Sequence, residues 1–163
     1  MSSEKKIILI RHGEAAFSKP DKERILSPKG IADSQNLGMS LENELENSFQ
    51  IFCSTARRTR QTFEGLNQFW KLHLDQVDFA DDLYESEYQA YVARVESSPA
   101  DSNVCVIIGH NPAISYFGAS LSKISYMSFQ PGEARIFASE SEDWSSIRAR
   151  EWELIKSFSP KNA

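Results

Sequence analysis

Ile7-Ile8-Leu9-Ile10 running into Arg11-His12-Gly13-Glu14, and Val104-Cys105-Val106-Ile107-Ile108 running into Gly109-His110-Asn111-Pro112, are the stretches whose reading decides the fold. Each opens as an unbroken apolar run. That is the pattern of a strand covered on both faces of a parallel sheet, not of a strand with one wet side. Each then breaks into polar residues with glycine, the signal of a turn or a helix start. Residues just past the carboxyl ends of parallel strands line the crevice where open α/β sheets bind ligands. The pattern therefore expects Arg11, His12 and His110 together at one edge of one sheet.

Outward from these runs, strands and helices alternate. A first strand spans 5–11, and a polar loop follows as far as Leu26. Ser27 as N-cap and Pro28 in the first helical position open a helix, with Ile31, Leu37, Leu41 and Leu45 as its apolar face. A strand at 49–53 leads through Ser54-Thr55 into a second helix, on which Thr59, Phe63, Leu66 and Trp70 fall at helical spacing. A short strand at 77–80 follows, then a helix over 86–96 with Tyr88, Tyr91, Val92 and Val95 inward. After the strand at 103–109, Asn111 as N-cap and Pro112 open a helix that carries Ile114, Phe117 and Leu121 on one face. Two strand-like runs, 134–138 and 146–154, close the chain. This alternation predicts an α/β fold of three layers, α/β/α, around a mostly parallel central sheet. The closing pair, joined across 139–143, is expected to add an antiparallel edge. With no repeat, low-complexity tract or linker, residues 1–163 read as a single domain.

The chain has 163 residues, with 18 Lys and Arg against 23 Asp and Glu, a net charge of −5. That balance argues against nucleic acid or an anionic membrane as the main partner. The opening Met1-Ser-Ser-Glu-Lys-Lys is polar and its following apolar run is too short for a signal-peptide core. No run approaches the ~18 apolar residues that suggest a membrane-spanning helix, so the expected compartment is the cytoplasm. Cys53 and Cys105 lie inside predicted core strands and read as small buried hydrophobes. No Cys/His spacing suits zinc, and the carboxylates are scattered, so neither a metal nor a cofactor is expected.

The strand-end residues suit phosphate. Phosphoryl transfer needs a nucleophile in line with phosphorus and positive donors around the phosphate oxygens. Histidine serves as nucleophile when one ring nitrogen is free and the other is held by a hydrogen bond. Arginine grips phosphate through two parallel N–H bonds. Gly13, next to His12, lets backbone approach the ligand closely. A second basic element, Ser54-Thr55-Ala56-Arg57-Arg58-Thr59-Arg60-Gln61-Thr62, starts a helix after a strand, where backbone N–H groups favour anions. A solvated helix start also explains three arginines there, and a satisfied core histidine also explains His110.

Taken together, these elements resemble the histidine phosphatase superfamily, which includes phosphoglycerate mutases and acid phosphatases, over nearly the whole chain. The family's Arg-His-Gly opening matches Arg11, His12 and Gly13, its Ser-x-x-x-Arg-x-x-Gln-Thr segment matches Ser54, Arg58, Gln61 and Thr62, and its second histidine matches His110. The register selects Arg58 over Arg57 and Arg60. The resemblance implies a phosphoglycerate-mutase-like fold, His12 as a nucleophile that becomes transiently phosphorylated, and Arg11, Gly13, Arg58 and His110 around the phosphoryl group. Asp21-Lys-Glu-Arg24-Ile-Leu26-Ser27-Pro-Lys-Gly30 is similar to the Asp-x-x-Arg-Pro-Leu-Thr-x-x-Gly pattern of small SixA-type phosphohistidine phosphatases, with Ile25 and Ser27 as departures. Gly109-His110-Asn111-Pro112 and Leu83-Tyr84-Glu85 also look like that subgroup.

The proton donor is the least determined residue. An alkoxide leaves badly without a general acid. Glu85 has the best position, with Asp21 and Glu14 as others in reach of the rim. Glu85 reads equally as an acidic residue in the first turn of its helix. Asn111 replaces the aspartate acid of acid phosphatases and cannot donate in that way. Imidazole, with a conjugate-acid pKa of about 6.5, leaves readily. The expected substrate is accordingly phosphohistidine in a signalling or phosphotransfer protein. The alternatives are a small phosphorylated metabolite cleaved as an ester, or a non-catalytic phosphate-binding domain. Tyr84, Tyr88, Tyr91 and Phe117 read either as an apolar rim to the site or as core.

Overall fold

The first apolar run is buried without remainder: Ile7, Ile8, Leu9 and Ile10 have no exposed surface. Successive side chains of a strand point to opposite faces, and the run divides accordingly. Ile7 and Leu9 join Cys105, Ile107, Tyr91, Val95, Ile114 and Phe117 in one core. Ile8 and Ile10 join Val106, Ile108, Leu37, Phe63 and Leu66 in the other. Each fully buried aliphatic side chain is worth about 1.5–3 kcal/mol. A two-sided core is what makes an uninterrupted apolar strand stable there.

These coordinates are a computed structural model describing residues 3–145 and 147–160. The elements are β1 (Ser3–Arg11), α1 (Pro28–Ser40), β2 (Phe49–Ser54), α2 (Arg57–Trp70), β3 (Asp78–Ala80), α3 (Tyr88–Glu96), β4 (Val104–Gly109), α4 (Ala113–Leu121), β5 (Ala134–Ser141) and β6 (Glu153–Phe158). The six-stranded sheet has the order β3-β2-β4-β1-β5-β6. The first four of those strands run parallel, while β5 and β6 pair antiparallel at the edge. The three-layer reading holds, with α1 and α2 covering one face and α3 and α4 the other. Register places Arg11 opposite Gly109, so His12 and His110 leave the sheet side by side.

Several local expectations are corrected. Ile31 is 43 % exposed, because α1 meets α2 through Ser34, Leu37 and Gly38. A Cβ on Gly38 would lie 2.9 Å from the Leu66 Cα, and one on Gly65 2.6 Å from the Ser34 Cβ. The helices thus approach too closely for a bulky residue at that seam. Leu41 caps α1 and Leu45 is buried beyond it.

The closing strand lies at Glu153–Phe158, not at 146–154. Ile147 and Trp152 in the expected stretch, and Trp144 just before it, are core side chains under the loop, with Trp144 and Trp152 stacked at 6.1 Å; Ser146 falls outside the described residues. The helix expected from 86 starts at Tyr88, which leaves Glu85 in the preceding turn at φ 50°. Asn111 is not the N-cap of α4: Pro112 takes that position, with no side-chain cap. Cys53 and Cys105 are free and buried, and burial raises both thiols, Cys105 to about 12. No helix among the described residues is long and apolar enough to cross a membrane.

Candidate active site

His12 sits where β1 ends. Its backbone N–H donates to the Gly109 carbonyl (3.1 Å), tying the two strand ends together. Its ring Nδ1 donates to the Gly13 carbonyl at 2.7 Å. A carbonyl can only accept, so the proton is on Nδ1 and the lone pair is on Nε2, the tautomer a nucleophile requires. His12 is only 8 % exposed, deeper than a rim position. Burial is the main cause that pulls its pKa down to about 4, with Arg58, Arg11 and Arg24 adding to the fall. Desolvation thus outweighs the like charge of the arginines in keeping the ring neutral.

His110 leaves β4 beside it, with ring centroids 5.3 Å apart. The Tyr91 hydroxyl accepts from the His110 backbone N–H (2.9 Å) and donates to the Leu83 carbonyl (3.0 Å). His110 Nε2 lies 2.7 Å from Ser54 Oγ, at the carboxyl end of β2. That oxygen also accepts from the Ala56 N–H (3.4 Å), and no other acceptor takes its hydroxyl proton among the described residues, so we assign that proton to Nε2 and the ring proton to Nδ1. His110 Nδ1 is buried without a hydrogen-bond partner. Burial, then His12 and Arg58, lower its pKa to about 3.

The arginines close the cradle. Arg58, in the first turn of α2, is 6 % exposed and its Nε has no partner. Arg11 donates through Nη1 to the Phe129 carbonyl (2.8 Å), and its Nε is also buried and unpartnered. Arg57 and Arg60 are exposed, and Arg60 turns away over the Phe79 ring. The spacing that selected Arg58 therefore selected the buried guanidinium. The other matched residues hold the frame: Thr62 Oγ1 accepts from Gly13 N–H (3.0 Å), and Gln61 Oε1 accepts from Leu26 N–H (2.7 Å). Three buried N–H donors, Arg11 Nε, Arg58 Nε and His110 Nδ1, thus have no protein acceptor, around a neutral imidazole. An anion is the group that such donors accommodate.

The carboxylates separate. Asp21 contacts Arg58 directly, Oδ2 to Nη2 at 3.1 Å. The Tyr84 hydroxyl bond, then Arg24 and Arg58, hold its carboxyl down at about 2 despite partial desolvation. An acid so firmly ionised cannot donate a proton near neutral pH. Glu85 is exposed, with its carboxylate beside the Tyr84 hydroxyl. Glu14 is exposed, and its carbonyl accepts from Ser27. Asn111 accepts from Ser115 Oγ (2.6 Å) and donates to the Phe129 carbonyl (3.3 Å), alongside Arg11. Tyr91 and Phe117 are core, whereas Tyr84 belongs to the site, 5.6 Å from His110 ring to ring. The roles of Ser54, Tyr84 and Tyr91 had no separate signal in the sequence, although Ser54 and Tyr84 lie within the matched motifs.

A cavity of about 600 Å³ lies elsewhere, lined by Ser48, Phe49, Asp75, Val77, Asp101 and others. It contains none of the histidines or arginines of the cradle, so chemistry rather than volume locates the site. Among the described residues no group of side chains is arranged to hold a metal ion.

Residues 7–103 match the family model of the histidine phosphatase superfamily (branch 1), a span that includes Arg11, His12 and Arg58 and ends before His110. A solved structure of a Nakamurella multipartitia protein assigned as the phosphohistidine phosphatase SixA superposes with a TM-score of 0.84 at 25 % identity, covering 97 % of each chain. The protein histidine phosphatase SixA complexed with tungstate gives 0.80 at 19 % identity, over 95 % of this chain and 97 % of the other. A mycobacterial glucosyl-3-phosphoglycerate phosphatase gives 0.68 at 14 % identity, over 93 % and 97 %.

Proposed function

Because this chain belongs to the histidine phosphatase superfamily, we propose that it is a phosphohistidine phosphatase acting on a phosphorylated signalling or phosphotransfer protein. In this reading residues 1–163 work as one domain. His12 Nε2 attacks phosphorus while the P–N bond to the substrate imidazole breaks. The leaving imidazole keeps the bonding pair and takes a proton from solvent. Water then hydrolyses the phosphohistidine formed on His12, releasing inorganic phosphate and restoring the neutral ring. Arg11, Arg58 and the Nδ1–H of His110 hold the phosphoryl oxygens, and the Gly13 backbone gives them room.

One observation carries the substrate class. The cradle holds a neutral nucleophile and unpartnered donors, but the carboxylate in contact with Arg58 is ionised far below neutral pH. An alcohol would leave badly from such a site, whereas imidazole leaves without a protein acid. The likeness to SixA-type structures supports the same reading. Glu85 beside Tyr84 favours a second one, a phosphomonoesterase of small metabolites with Glu85 as acid.

Turnover of a phosphohistidine-carrying protein and of an aryl phosphate, by wild type and His12→Ala, separates the readings. Rapid loss of phosphohistidine with little ester hydrolysis supports the first. Faster ester hydrolysis that Glu85→Gln abolishes supports the second, and inactivity on both favours a phosphate-binding domain.

A further inference from the structure

Arg58 is held from behind. Its Nη1 donates to the Asp21 main-chain carbonyl (2.9 Å) and its Nη2 to the Asp21 carboxylate (3.1 Å). Both contacts come from one residue, in the 3-10 turn Asp21–Glu23 of the loop between β1 and α1. The remaining donor, Nε, is buried and unpartnered. The same carboxylate oxygen, Asp21 Oδ2, accepts from the Tyr84 hydroxyl at 2.6 Å. The Tyr84 ring lies 5.9 Å from the Arg58 guanidinium carbon and 5.6 Å from the His110 ring. Tyr84 therefore touches the carboxylate that grips one phosphate-binding group and packs against both that group and the other.

We infer that Asp21 and Tyr84 form a positioning pair that fixes the Arg58 guanidinium by its Nη edge, presents its Nε–H to the phosphoryl group, and sets its spacing from His110. A guanidinium has donors on every edge, and a flexible arginine loses rotamer entropy when it grips an anion. Anchoring the far edge in advance removes part of that loss. The arrangement also has an electrostatic cost. A second negative charge beside Arg58 weakens its hold on any anion. Asp21 thus gives up affinity for phosphate in exchange for geometry. Lys22, in the same turn, adds a second attachment, 2.7 Å from Asp81 with its ammonium 5.3 Å from the Tyr84 ring centroid.

A residue that merely supports the fold would, when replaced, weaken anion binding and turnover together. A positioning carboxylate gives the opposite split. The inference rests on the reading of Arg58 as a phosphoryl-binding group, so Arg58→Ala is measured alongside. For wild type, Asp21→Asn, Tyr84→Phe and the double variant, kcat is measured on the better of the two substrates above, and inhibition by tungstate and inorganic phosphate is measured with it. Asp21→Asn should lower kcat by roughly ten-fold or more while tungstate and phosphate inhibit equally well or several-fold more tightly. Tyr84→Phe should move kcat in the same direction by less. The double variant should be far less impaired than the product of the two single effects, because both act through one carboxylate.

Parallel losses of kcat and anion affinity, independent effects in the double variant, or wild-type kcat in Asp21→Asn would each overturn the inference. Undiminished turnover by Arg58→Ala would overturn it together with the reading beneath it. Loss in Arg58→Ala with no effect at Asp21 would overturn this inference alone.

Discussion

His12 and His110 face each other across 5.3 Å but are tied through opposite nitrogens, Nδ1 of His12 to the Gly13 carbonyl and Nε2 of His110 to Ser54. The nitrogens left over, Nε2 of one ring and Nδ1 of the other, differ in kind. One is a lone pair and the other a donor. On the proposed reading, two chemically identical side chains would thereby take complementary parts, attack and oxyanion support, distinguished only by their hydrogen-bond partners.

Removing the Ser54 hydroxyl should blur that distinction. Ser54→Ala leaves His110 free to carry its proton on either nitrogen. The expected loss in kcat is about ten- to a hundred-fold, below the 10²–10³ typical of deleting an oxyanion donor outright. Nitrogen NMR of the imidazoles should show one fixed His110 tautomer in wild type and a mixture in the variant. A single unchanged tautomer would refute the assignment.

Both rings should be neutral at pH 7, with His12 titrating near 4 and His110 near 3. Burial is the largest cause in each. The unfolded chain takes up these protons near pH 6.5, whereas the folded chain resists them. Between those values the unfolded state binds more protons, so stability falls as pH drops from about 6.5 to about 3 and levels off below that. His12→Ala removes one contributor and should lose less stability than wild type between about pH 7 and pH 5. Denaturation midpoints at both pH values check this, and equal losses would contradict it.

The three arginines of the second basic element should behave unequally. Arg58→Ala should lower kcat/KM by about 10²–10³, because it removes a buried donor set. Arg57→Ala and Arg60→Ala should stay within a few-fold of wild type, since both are exposed. A large effect at Arg57 would mean that partner recognition extends across that helix start.

Gly30→Ala should be poorly tolerated. A Cβ there would lie 2.1 Å from the Glu14 carbonyl oxygen, a backbone atom that cannot rotate aside. Overpacking of this type costs about 1–3 kcal/mol, and more when backbone must move. The urea midpoint should fall, and activity with it, since the displaced segment begins two residues after His12.

The sheet and its histidine-bearing ends were legible because a two-sided core demands uninterrupted Ile and Val, a strong and local signal. Arg58 was legible through motif spacing, which a helix start converts into direction. The Tyr84 and Asp21 contact was not, because it joins residues 63 apart through a turn whose path no periodicity describes. Ile31 misled for a related reason: helical spacing shows which residues share a face, but not that glycine and serine would bring two helices too close for it. The strand read at 146–154 was misplaced because Ile147 and Trp152 fill the core beneath a loop, a burial that local pattern does not separate from a strand's.

Arg11 Nε, Arg58 Nε and His110 Nδ1 are each buried without a protein acceptor, so an anion that binds them would also stabilise the fold. Phosphate released by turnover fits the same donors, and by mass action a ligand at a hundred times its Kd adds about 2.7 kcal/mol to the folded state. Product inhibition and conformational resilience then become one quantity seen from two sides. In a phosphate-rich medium the molecule would then be most durable when product holds its site.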